Sequence, residues 1–152
     1  MAGNPRARPS PDRGSAETAT VTAAAQALGV EPGRIAKTLA VRAGEHLFLL
    51  VTRGDARLDN RKCKNEFGAR PRMLGAEETL ELTGHPVGGV CPFGLKTRLP
   101  VYLDRSLEDF DIVYPAGGSL NSSVEVGTAR LLDLVAERWV DLCRAPDEPA
   151  GT

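Results

Sequence analysis

IAKTLAVRAGEHLFLLVT, from Ile35 to Thr52, reads as two strands back to back. Ile35–Arg42 and His46–Thr52 are rich in aliphatic and β-branched residues, and Ala43-Gly44-Glu45 between them carries the hairpin signal. Lys37 interrupts the first strand, with Ile35, Ala36, Leu39, Ala40 and Val41 around it. A lysine is rarely buried without a partner, so Lys37 either snorkels to solvent or points its ammonium into a pocket that holds something negative.

Outward from this hairpin the pattern is helical on the N-terminal side. Val21, Ala24, Ala25 and Leu28 fall at i, i+3, i+4 and i+7, and Gly29 is placed to end the helix before a turn at Pro32-Gly33. Downstream, Leu58–Phe67 is a predicted helix closing at Gly68, and Ala76–Leu82 another closing at Gly84. Strands are expected at Val87–Val90, Val101–Asp104, Ile112–Tyr114 and Val124–Val126. A last helix, Ala129–Cys143, is expected with Thr128 as its cap, burying Leu131, Leu132, Val135, Trp139 and Leu142. Strands and helices do not alternate strictly. The expectation is therefore one α/β domain of the α+β type, with a mixed, largely antiparallel sheet and flanking helices.

GHPVGGVCPFG, Gly84 to Gly94, is the second informative stretch. Gly88 and Gly89 leave backbone N–H groups open to close approach, and Pro92 fixes the chain; such a loop suits an anion or a developing oxyanion, while a tight turn is the plainer alternative. A later segment, Ala116 to Ser122, offers more small residues and the Asn121 side chain, and by itself reads as a loop before Val124. Charge is uneven. Seven basic residues stand against three acidic between Arg53 and Arg72, while eight acidic stand against three basic between Asp104 and Asp141. The basic strip, with Arg57, Arg61, Lys62 and Lys64, is either an RNA-facing surface or a solvated helix face with internal ion pairs.

The 152 residues and formal charge of −1 describe one ordinary domain without a global pull toward nucleic acid. Cys63, Cys91 and Cys143 are odd in number, far apart and without a CxxC pair, which suggests neither a disulfide framework nor a zinc site; a reducing cytosol fits. His46 and His85 are the only histidines and lack ligand spacing, so no metal or cofactor is expected. No apolar run approaches the length of a membrane span, and no signal-peptide pattern opens the chain, so a membrane location is not expected. Residues 1–17, with three prolines and three arginines, and residues 145–152 are expected to be disordered tails around a domain at 18–144.

Five segments, TATVTAAAQALGVEPGRIAKTLAV (18–41), LDNRKCKNEFGARPRML (58–74), TGHPVGGVCPFGL (83–95), VYLDRSLEDFDIVYPAGGSLNS (101–122) and WVDLC (139–143), follow one another as in a known family. Together they resemble the YbaK/EbsC family of aminoacyl-tRNA deacylases, relatives of the editing domain inserted in bacterial prolyl-tRNA synthetases. The family's helix and strand ahead of the segment matching Thr18 have no clear equivalent here. The resemblance implies a YbaK-like fold and a trans-editing hydrolase that cleaves mischarged tRNA at its 3′ end, releasing a small amino acid such as Ala, Ser or Cys. It maps the lysine tied to activity onto Lys37 and the catalytic glycine loop onto Gly88 through Pro92. It further implies Thr22, Gly89, Val90, Cys91, Pro92, Gly118, Ser119 and Asn121 as substrate-binding residues, with the tRNA acceptor end, and a synthetase beside it, as partners. Two other readings stay open: a non-catalytic aminoacyl-tRNA or small-ligand binder, and a thiol hydrolase with Cys91 as nucleophile and His85 as base.

Overall fold

β1 (Ile35–Ala43) and β2 (His46–Arg53) pair antiparallel, from Ala36 opposite Arg53 to Ala43 opposite His46, and so form the expected hairpin. Gly44 turns the corner at φ 62°, a left-handed conformation that costs glycine nothing. The computed structural model describes residues 15–85, 97–115 and 125–144, with side chains from residue 21 onward.

The sheet extends from both sides of the hairpin and is mixed. β5 (Val101–Asp104) runs parallel to β2, and β8 (Arg138–Val140) parallel to β5. On the other side β6 (Ile112–Pro115) joins β1 in parallel and β7 (Val126–Gly127) joins β6 antiparallel, while β4 (Pro71–Met73) pairs antiparallel with the far end of β1. A separate antiparallel ribbon joins β3 (Arg57–Leu58) to β9 (Cys143–Arg144).

Strand alternation sends β2 to both faces, which explains its unbroken apolar run. Leu49 and Val51 pack with Ala36, Ala40, Leu103, Val113 and Leu131 on one face. Phe48 and Leu50 pack on the other with Leu39, Val41, Cys63, Leu142 and Cys143. Lys37 lies two residues before Leu39 and directly opposite Thr52, so the pair continues this second face to the end of the hairpin.

α1 (Ser15–Leu28) buries Val21, Ala24 and Ala25 against Ile35, and Gly29 at φ 69° follows it. It begins at Ser15, inside the segment assigned to the N-terminal tail. α2 (Asn60–Phe67) starts later than the expected Leu58, because Leu58 belongs to β3 and the Asp59 side chain caps the helix by accepting from Lys62 N at 3.1 Å. α3 (Ala76–Thr83) ends at Gly84 as expected. The expected strand at Val87–Val90, Val124 and both outer tail segments, 1–14 and 145–152, lie outside the described residues.

The last helix is shorter than its spacing predicts. α4 (Thr128–Val135) stops where Ala136 adopts extended angles, and Glu137 N then donates to Val101 O and carries the chain into the sheet. Trp139 belongs to β8, while Leu142 leads into β9, which begins at Cys143. Leu131, Leu132, Val135, Trp139 and Leu142 keep a helical period, yet Trp139 packs on one face of the sheet and Val140 and Leu142 on the other, which a strand achieves and a helix does not. Thr128 is the first helical residue rather than the cap; its hydroxyl donates to Phe110 O at 2.6 Å.

Candidate functional site

Lys37 is half-buried, and its ammonium donates to Ala56 O at 2.8 Å. The ammonium is thus engaged by a backbone carbonyl just beyond β2. Ala56 is itself buried, and its N–H closes a turn by donating to Arg53 O at 3.1 Å.

Polar groups gather around this end of the hairpin. Thr52, opposite Lys37, places its hydroxyl 2.9 Å from Ser106 Oγ and donates to Cys143 Sγ at 3.4 Å. Asp104, fully buried at the end of β5, accepts from Ser106 N at 3.0 Å, Leu142 N at 2.7 Å and Cys143 N at 3.1 Å. A buried carboxylate is tolerable in this form because backbone donors replace its water. The same C-terminal segment is tied down from outside: Asp59 N donates to Leu142 O at 2.8 Å and Arg144 Nη1 to Leu58 O at 2.8 Å.

Burial pushes the Cys143 thiol far above the usual thiol range, with Asp104 adding to the effect while the Thr52 hydroxyl and the Lys37 charge oppose it. Burial, and then Glu66, pushes Cys63 up to about 11. Both remain protonated thiols at neutral pH and make poor nucleophiles. Among the described residues no group of three or more His, Cys, Asp or Glu side chains is arranged to hold a metal ion.

The expected site residues fall into three sets. Lys37 is placed as above, and Thr22 is an exposed residue of α1. Gly88, Gly89, Val90, Cys91, Pro92, Gly118, Ser119 and Asn121 lie outside the described residues. In the basic strip Arg57, Arg61 and Lys64 are exposed. Lys62 is not equivalent to them: its ammonium donates to Cys143 O at 2.7 Å and pairs with Asp141 at 3.2 Å, which commits it to holding the C-terminal segment. Sequence reasoning passed over Asp104, Thr52 and Ser106. The Asp-x-Ser spacing of residues 104–106 is an available local signal for one of the three donors to Asp104.

A family described as the aminoacyl-tRNA editing domain matches residues 15–134. YwhH of Bacillus subtilis (strain 168) is 46% identical over 129 residues, which cover 84% of this chain and 82% of that protein. EbsC of Enterococcus faecalis (strain ATCC 700802 / V583), provisionally named a Cys-tRNA(Pro)/Cys-tRNA(Cys) deacylase, is 29% identical over 78% of this chain and 73% of its own length. A solved structure provisionally named a trans-editing enzyme for prolyl tRNA synthetase superposes with a TM-score of 0.74 at 37% identity, covering 84% of this chain and 82% of that one. Among the described residues no helix is long and apolar enough to cross a membrane.

Proposed function

Since the chain belongs to the aminoacyl-tRNA editing domain family, we propose that it is a trans-acting deacylase, a hydrolase that cleaves the ester joining a wrongly attached small amino acid, Ala, Ser or Cys, to the 3′-adenosine of a tRNA. The observation that carries this reading is Lys37, a half-buried cation held at 2.8 Å by Ala56 O in a strand whose other residues are mostly buried. The names borne by EbsC and by the trans-editing structure support the same chemistry, and the latter's name supports a synthetase as the source of the substrate. A tRNA substrate fits work in the cytoplasm.

An aminoacyl ester is already activated, so the enzyme needs mainly to position it and stabilise the oxyanion. The Lys37 ammonium supplies positive charge near the ester, and the backbone N–H groups of Gly88 to Cys91 are proposed to receive the carbonyl oxygen. Water, helped by the ribose 2′-hydroxyl, attacks the carbonyl carbon, and the tetrahedral intermediate collapses with release of the free amino acid and the 3′-oxygen, which takes up the proton that the water gave up. No protein nucleophile enters. Editing of this kind answers a physical limit, since one methylene in a synthetase pocket discriminates by only about 10–200-fold.

The test is a panel of Ala-, Ser-, Cys-, Thr- and Pro-charged tRNAs. Release of at least one small amino acid, unaffected by EDTA, is the expected result. Tight binding with release from none of them would replace the hydrolase by a binding module.

The exposed cations give a separate expectation. If Arg57, Arg61 and Lys64 meet tRNA phosphates, neutralising any one lowers the slope of log affinity against log salt by about one. Lys62→Gln should instead lower thermal stability, because Lys62 holds Cys143 O and Asp141. An unchanged slope after neutralising all three exposed residues would show a merely solvated surface.

A further inference from the structure

Lys37 is positioned by a carbonyl, and that carbonyl belongs to a turn with its own side-chain clamp. The Arg53–Ala56 turn has one backbone hydrogen bond, Ala56 N to Arg53 O. Across it the Arg53 guanidinium grips Asp55 with both arms of the fork, Nε to Oδ1 at 2.7 Å and Nη2 to Oδ2 at 2.8 Å. The third arm, Nη1, reaches Asp109 Oδ2 at 2.6 Å. The guanidinium also stacks 5.1 Å above the Phe110 ring, and Arg53 N donates to Ser106 Oγ at 3.4 Å. Surface ion pairs contribute little as a rule, but this fork is only 19% exposed, bidentate and spread over two carboxylates, the arrangement in which such pairs hold geometry.

The turn has little room to relax by itself. A Cβ at Gly54 would stand 2.4 Å from Pro32 O and 2.9 Å from Ile35 O, so residue 54 is pressed against the backbone that leads into β1. Lys37 lies two residues further along that strand. Both the lysine and its acceptor are thus referenced to one corner of the fold, and the Arg53 side chain joins the corner to the segment after β5 through Asp109.

We propose that Arg53 and Asp55 are positioning residues for Lys37, the fork fixing the Arg53–Ala56 turn so that Ala56 O holds the ammonium where the ester is cleaved. The proposal rests on the deacylase reading of Lys37. Neither Arg53 nor Asp55 needs to touch substrate for this role. Its signature is a loss of turnover that depends on the lysine.

The experiment is a double-mutant cycle on whichever charged tRNA the panel identifies, in steady-state assays with folding monitored by circular dichroism. Arg53→Leu and Asp55→Asn are each expected to lower kcat about tenfold, less than the roughly 100-fold of a full ångström's misplacement, with KM nearly unchanged. In a Lys37→Ala background neither substitution should lower the residual rate further, because no ammonium remains to be placed. Should Arg53→Leu fail to fold, Asp55→Asn carries the test, since it leaves Arg53 its contact with Asp109. Unchanged kcat in the folded single variants, or the same tenfold drop with and without Lys37, overturns the clamp. A Lys37→Ala protein with parental turnover is a different failure, that of the lysine reading itself.

Discussion

Lys37→Ala is expected to lower deacylation at least about 100-fold, the usual loss when one preorganised electrostatic group is removed, while the protein stays folded. Two observations separate the effects on activity and on fold. Lys37 is half-buried at the end of the hairpin, and the strand around it is secured by pairing on both sides, to β2 from Ala36 to Ala43 and to β6 at Ile35 and Ala36. Alanine leaves that ladder intact. What disappears includes the charge-assisted hydrogen bond to Ala56 O, worth about 1.5–3 kcal/mol, a loss that a domain with ordinary stability survives. Initial rates on a charged tRNA and a thermal melt decide the matter together. A folded Lys37→Ala protein with near-parental turnover would remove the lysine from the mechanism.

The features legible in the sequence are those written in local pattern. The hairpin shows because two strand-like segments rich in aliphatic residues flank Ala43-Gly44-Glu45, and Lys37 stands out because a cation among apolar neighbours is costly without a partner. Gly29, Gly68 and Gly84 mark helix ends because the left-handed angles they adopt, φ 69°, 78° and 79°, suit a residue without a side chain. What escaped is set by partners distant in sequence. The 3.6-residue period continues past Val135, but the acceptor at Val101 O decides that Glu137 turns into the sheet. Lys62 reads as one more cation of a basic strip until the fold brings the carbonyl of Cys143, 81 residues later, to its ammonium. The Ala56 carbonyl that holds Lys37 is of the same kind, since its turn begins at Arg53, whose guanidinium reaches Asp109, 56 residues away.

Asp104 is the extreme case, and Asp104→Leu is expected to be the most destabilising single substitution considered, costing at least about 3 kcal/mol. Read locally, Asp104 is only the polar end of a strand. In the fold it is fully buried and accepts from three backbone donors, Ser106 N, Leu142 N and Cys143 N, the last two 38 and 39 residues away. Leucine has similar bulk but no acceptor, and each buried N–H left unpaired costs about 1–3 kcal/mol. The penalty is a large fraction of the 5–15 kcal/mol that holds a typical domain together. Asp104→Asn keeps one acceptor oxygen but turns an NH2 toward a donor, so an intermediate loss is expected. Urea unfolding with parent, Asn and Leu proteins reads the order directly, as falling midpoints at a common slope. The consequence reaches the site: the segment that Asp104 anchors supplies Cys143 Sγ to Thr52, the cross-strand neighbour of Lys37, and pairs through β9 with Arg57, the residue after Ala56. A partly folded Asp104→Asn protein should therefore lose activity ahead of its loss of secondary structure as temperature rises. Coincident losses, or an Asp104→Leu protein as stable as the parent, would show that this buried carboxylate is not what secures the corner around Lys37.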